Sequence, residues 1–154
     1  MTHGEKAEAL FYEGYNCSQS VLLAFSDVTG LEERTAAMLA SSFGGGLGRL
    51  REVCGAVSGG AMVLGLVCGY SDPKDAQAKR GHYHLVQDFA ERFREKNGSI
   101  VCRELLSGVR TANGKDPEAR TDAYYRKRPC PVLVRQAAEI AEALLGEREL
   151  RTGD

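Results

Sequence analysis

The chain has 154 residues, a size at which one compact domain can bury a core without disulfide staples. Hydrophobic residues make up 43% and charged residues 27%, which excludes a disordered chain and a chain embedded in a membrane along its whole length. Twenty Lys and Arg against 21 Asp and Glu leave a formal charge of −1, so no overall field draws the chain to nucleic acid or to an anionic lipid surface.

The N-terminus, Met1-Thr2-His3-Gly4-Glu5-Lys6, has no basic segment followed by a long apolar run, so no signal peptide is expected and the expected location is cytoplasmic. A helix fits residues 4–13, with Ala7, Leu10 and Phe11 on one face and Gly14 as a stop. A second helix follows at once. Asn16 is a good N-cap and Gln19 completes a capping box, while Cys17, Val21, Ala24, Phe25 and Val28 recur at helical spacing before Thr29-Gly30. Residues 32–42 read as a shorter helix, and Gly44, Gly45, Gly46 and Gly48 form the strongest break in the chain.

Val53 to Tyr70 is an uncharged run of 18 residues, long enough for a membrane span. Its five glycines and the charged amphipathic helices on both sides favour instead a central buried helix over 53–70 that neighbours approach closely. Asp72-Pro73 supplies a cap and a first-turn proline for a long helix with Leu85, Val86, Phe89 and Phe93 facing inward, closed by Asn97-Gly98. Ser99 can cap a short helix holding Cys102, Leu105 and Leu106, and Asp116-Pro117 can start another towards Tyr125. The last helix begins at Pro129-Cys130-Pro131, buries Val134, Ala137, Ala138, Ala141, Leu144 and Leu145, and leaves a frayed tail from about 147. No segment alternates as a strand would. The expected fold is therefore an all-α, single-domain bundle of six to eight helices spanning 1–154.

The chemistry rests on cysteine. Cys17, Cys54, Cys102 and Cys130 each fall at the cap or first turn of a predicted helix, where unpaired amides and the helix dipole favour thiolate over thiol. Cys68 does not, and reads as a small core residue. An odd total of five cysteines in a chain that does not look exported argues against a disulfide scaffold and for reduced, metal-bound or redox-active thiols. The four contain no CxxC pair, so zinc-ribbon, thioredoxin-like and covalent-haem signatures are all absent. A shared site would have to be assembled by converging helix ends, to hold an iron–sulfur cluster or zinc, or to form a dithiol/disulfide couple.

Other candidates carry less. Gly44-Gly45-Gly46-Leu47-Gly48 lacks the ending of a P-loop and follows no strand, so no nucleotide is expected. His82 and His84 point to different sides of a helix. Arg126, Lys127 and Arg128 read as solvated surface, and Tyr124 and Tyr125 as lids on the core.

Asn16-Cys17-Ser18-Gln19-Ser20-Val21, the glycine loop, Cys54-Gly55-Ala56-Val57-Ser58-Gly59 and the single cysteines at 102 and 130 together resemble the redox-active family named C_GCAxxG_C_C for its cysteine pattern. The resemblance covers about residues 5–145, with Val53 where the pattern has Gly. It implies a cytoplasmic helical protein with a redox role, an unidentified redox or transporter partner, and, through similar sequence in split-Soret-type cytochromes, a cysteine-bound iron–sulfur centre without covalent haem.

The leading expectation is an electron-transfer protein in which Cys17, Cys54, Cys102 and Cys130 ligate an iron–sulfur cluster, with Gly55, Ala56 and Gly59 permitting close approach. One alternative is a metal-free thiol–disulfide oxidoreductase or redox sensor using the same four cysteines. Another is a structural-zinc or metal-free helical interaction module of a transport system. The helices 53–70 and 73–96 would also suit a homodimer interface.

Overall fold

Thr2 and Glu5 close on each other's backbone: the Glu5 amide donates to Thr2 Oγ1 at 3.1 Å and the Thr2 amide to Glu5 Oε2 at 3.0 Å. This reciprocal cap starts α1 (His3–Tyr12) one residue ahead of the expected helix. Asn16 and Gln19 do the same for α2 (Cys17–Ala24), as the sequence predicts. The regular run then breaks at Phe25, and a single turn, α3 (Ser26–Thr29), leaves Val28 exposed rather than on the core face. Next come α4 (Glu33–Ala40), which tightens into a 3-10 turn at Ser41–Phe43, and α5 (Gly55–Cys68). The chain continues through α6 (Ala76–Asn97), α7 (Cys102–Leu105), α8 (Asp122–Lys127) and α9 (Cys130–Thr152).

The computed structural model describes residues 1–152, with side chains as far as Glu149. It is an all-α, single-domain bundle. Among the described residues there are nine α-helices, six of them eight residues or longer, and no strand. One isolated antiparallel bridge joins Val53 to Val101. The tail expected to fray from about 147 is helical through Thr152, and its last two residues lie outside the described residues.

Helices α1, α2, α5 and α9 pack on one another, with α4 against α2 and α6 against α5 and α9. Phe11, Leu22, Phe25, Leu64, Phe89 and Phe93 fill the space between them. The small residues of α5 let α2 come close. A Cβ added at Gly59 would lie 2.7 Å from the Ser18 carbonyl oxygen and 3.1 Å from Val21 Cβ. The helix is buried from Gly55 to Leu64 apart from a few partly covered positions, but it emerges at its C-terminal end, where Leu66 and Val67 are exposed. Among the described residues no helix is long and apolar enough to cross a membrane.

Three further helix starts differ from expectation: nearer side chains cap α6 and α8, whereas α7 starts without a side-chain cap. Asp72 accepts the Lys74 amide in a turn, and α6 waits for Asp75, whose Oδ1 accepts the Ala78 amide at 2.9 Å, so Pro73 stays outside the helix. Ser99 accepts the Val101 amide at 2.9 Å, and α7 begins beyond it with Val101 in the cap position. Asp116-Pro117 starts no helix: Thr121 caps α8 by accepting the Tyr124 amide at 3.1 Å.

Candidate functional site

Each of the four cysteines is set at a helix start by local bonds. The Asn16–Gln19 capping box places Cys17 first in α2, and the spare amide hydrogens of both side chains bond the carbonyls of Ser41 and Ala37, tying this helix start to α4. The Cys54 amide donates to the Ile100 carbonyl at 2.8 Å, and the Cys102 amide to the Glu52 carbonyl at 2.6 Å. These bonds flank the Val53–Val101 bridge and hold the start of α5 beside the start of α7. Cys130 opens α9 between two prolines, which fit a first turn because no amide is needed there. The Val132 and Leu133 amides close that turn on the Pro129 carbonyl at 3.1 Å each.

All four cysteines line one cavity of about 350 Å³. Its wall includes the glycine loop, in which Gly45, Gly46, Leu47, Gly48 and Arg49 have φ between 53° and 73° and Arg51 follows at 63°. Left-handed geometry costs a non-glycine residue about 1–2 kcal/mol, so this shape must be held from outside. Arg49 holds it, donating to the carbonyls of Ala112 at 2.7 Å, Gly114 at 2.9 Å and Asp116. Gly46 leaves no room for a side chain, since a Cβ there would lie 2.7 Å from Cys102 Cβ.

The sulfurs are not equivalent. The neighbouring Cys17 thiol pulls the Cys130 thiol down to about 7 against the opposing effect of burial, helped by the Arg128 and Arg120 guanidinium groups. Cys130 in turn pushes the Cys17 thiol well up, and burial adds to the effect. Burial pushes Cys54 up to about 12, which the Ala56 and Val57 amides only partly counter. Cys102 is buried with Arg51 Nη1 at 3.6 Å from its sulfur. The Cys17 and Cys130 thiols are therefore shifted in opposite directions.

The cations around Cys130 are themselves fixed. Arg120 donates to the carbonyls of Phe11 and Tyr15 at 2.9 Å each and lies 4.2 Å from the Phe11 ring centroid. Arg128 pairs with Glu118 and lies 4.7 Å from the centroid of Tyr124. Its side chain is only 3% exposed, so Arg128 is not the solvated residue its basic run suggests, although Arg126 and Lys127 are exposed. Tyr124 and Tyr125 do pack over the core, against Phe11.

"Putative redox-active protein (C_GCAxxG_C_C)" is the description of the family that matches residues 15–144. The chain belongs to this family. No curated protein and no solved structure matches it. Of the features that carry the family resemblance, Gly55 lines the cavity, and a Cβ there would lie 3.0 Å from Cys17 Cβ. Ala56 is fully buried and Gly59 serves the α2–α5 contact, so neither reaches the cavity wall. Cys68 lies outside the group, at the far end of α5, bonded to the Leu64 carbonyl at 3.2 Å.

The iron–sulfur centre expected from the sequence requires cysteine sulfurs grouped around one point. The donors are of the right type and share a cavity, yet among the described residues no three Cys, His, Asp or Glu side chains are grouped so as to hold a metal ion. The arrangement favours the metal-free thiol alternative. Sequence reasoning missed Arg51, Arg120 and Arg128; only the basic run two residues before Cys130 marked any of them.

Proposed function

We propose that this chain is a thiol–disulfide redox protein in which Cys130 is the attacking thiol and Cys17 the resolving one. The observation that carries this reading is that Cys17 and Cys130 line one cavity together with Cys54 and Cys102, and that the Cys17 and Cys130 thiols are shifted in opposite directions. Membership of a redox-active family supports it.

The step conserves electrons. Cys130 thiolate attacks one sulfur of a substrate disulfide, forming a mixed disulfide and expelling the first half as thiolate. Cys17 then attacks the Cys130 sulfur, closing a Cys17–Cys130 disulfide and releasing the second half. The Cys17 proton and one from solvent complete two thiols. The substrate gains two electrons and the protein loses two, which a thiol reductant restores.

Protein purified without oxygen is treated with a small disulfide, its free thiols are counted, and the linked peptides are mapped. The expected result is loss of two thiols with Cys17 joined to Cys130, and no such link in Cys130→Ala. Iron and acid-labile sulfide are measured on the same preparation. Brown protein that loses both in Cys54→Ala would overturn the thiol reading in favour of a cluster.

A further inference from the structure

The cavity wall is strongly one-sided in charge. It carries Arg49, Arg51, Lys115, Arg120 and Arg128 against a single carboxylate, Glu118, although the chain as a whole has a net charge of −1. Glu118 is already committed to Arg128. Among the described residues Arg51 and Lys115 have no carboxylate partner, and Arg49 and Arg120 bond only backbone carbonyls and a tyrosine hydroxyl. Arg128, 7% exposed, also leaves its Nε without a hydrogen-bond partner. A buried donor without an acceptor costs about 1–3 kcal/mol unless something supplies one.

Taking the thiol reading above as its basis, we infer that the cavity selects anionic small molecules, and that the substrate is a low-molecular-weight disulfide carrying carboxylates. Arg51 and Lys115 meet a carboxylate on the side of Cys102 and the loop gripped by Arg49, while Arg120 and Arg128 flank Cys130. A substrate sulfur reaching Cys130 thus brings its carboxylate among cations. Those cations also stabilise the thiolate that leaves first. The volume of about 350 Å³ is at the lower end of pockets that take small organic ligands and too small for a folded protein partner to enter.

The test uses three dialkyl disulfides of different charge: dithiodipropionate, hydroxyethyl disulfide and cystamine. Each rate of thiol loss is divided by the rate of the same compound with mercaptoethanol, which removes intrinsic reactivity. The expected order is anionic over neutral over cationic, with about a tenfold or greater preference for the anion at low salt that shrinks as salt is added. Arg51→Gln with Lys115→Gln is expected to lower the anionic-to-neutral ratio. Equal normalised rates, or a preference for cystamine, would overturn the inference and leave the thiol reading intact. Reaction with none of the three would overturn both.

Discussion

Cys17 and Cys130 line the same cavity, although they open helices near opposite ends of the chain, and their thiols are shifted in opposite directions, Cys17 upward and Cys130 downward. The asymmetry comes from Arg128 and Arg120, which stand on the Cys130 side. A thiol held near neutrality is a nucleophile under ordinary conditions, whereas one held well above its usual value is not.

Alkylation with iodoacetamide should therefore label Cys130 first, with a rate that is half-maximal near pH 7. Cys54 should remain unlabelled until the pH approaches its own much higher value. Cys17→Ala removes the largest influence on Cys130 and should move its midpoint upward. Mass spectrometry of peptides labelled across a pH series checks all three. First labelling at Cys54 would contradict the assignment of the attacking sulfur.

Stability should follow the same groups. Cys130 titrates at about 7 in the folded chain against 9.0 for an ordinary thiol, so its ionisation favours the folded state. That contribution is complete above pH 9.0 and shrinks as the pH falls towards 7. Cys17 and Cys54, whose values are raised, oppose it only above about 9. Urea unfolding of reduced wild type and Cys130→Ala, compared across pH 7 to 9, should show wild type gaining stability relative to the variant as pH rises. A difference independent of pH would show that folding does not lower the Cys130 value below that of the unfolded chain.

Arg128 and Glu118 are both almost fully covered, with side chains 3% and 11% exposed. Arg128→Met strands the Glu118 carboxylate, and breaking a buried pair from one side costs about 3–5 kcal/mol. Arg128→Met combined with Glu118→Gln should recover part of that loss, because the remaining polar group no longer carries charge. Thermal denaturation of the two variants compares them directly. Equal melting temperatures would mean that the stranded charge is not the cause.

How far the sequence reaches is set by how local each cause is. The Asn16–Gln19 box is closed between neighbours, and α2 starts where the pattern places it. The glycine run is a break in sequence and in structure. By contrast, the burial of Arg128 depends on Glu118 ten residues away and on the ring of Tyr124, so its basic neighbours suggest the wrong environment. Asp116-Pro117 has the composition of a helix start, yet Arg49 occupies the Asp116 carbonyl from far along the chain. The helix-start placement of the four cysteines is legible, but their sharing of one cavity depends on the Val53–Val101 bridge, which joins two single residues and leaves no alternating pattern.

The glycine loop offers a test of strain against fit. Leu47 is 44% exposed and sits at φ 73°, so its side chain contributes little packing while its backbone pays for left-handed geometry. Leu47→Gly removes that strain but frees the unfolded chain, and the balance should be a gain of up to about 1 kcal/mol. Gly46, at φ 72°, has the opposite setting: a methyl group there meets Cys102 Cβ and the Glu52 amide nitrogen, each at 2.7 Å. Gly46→Ala should therefore cost about 1–3 kcal/mol and displace Cys102 from the cavity wall. Urea midpoints measure the first effect, and the labelling rate of Cys102 measures the second. If both variants were equally stable, the loop would not be held in the left-handed shape that brings Arg51 to the Cys102 sulfur.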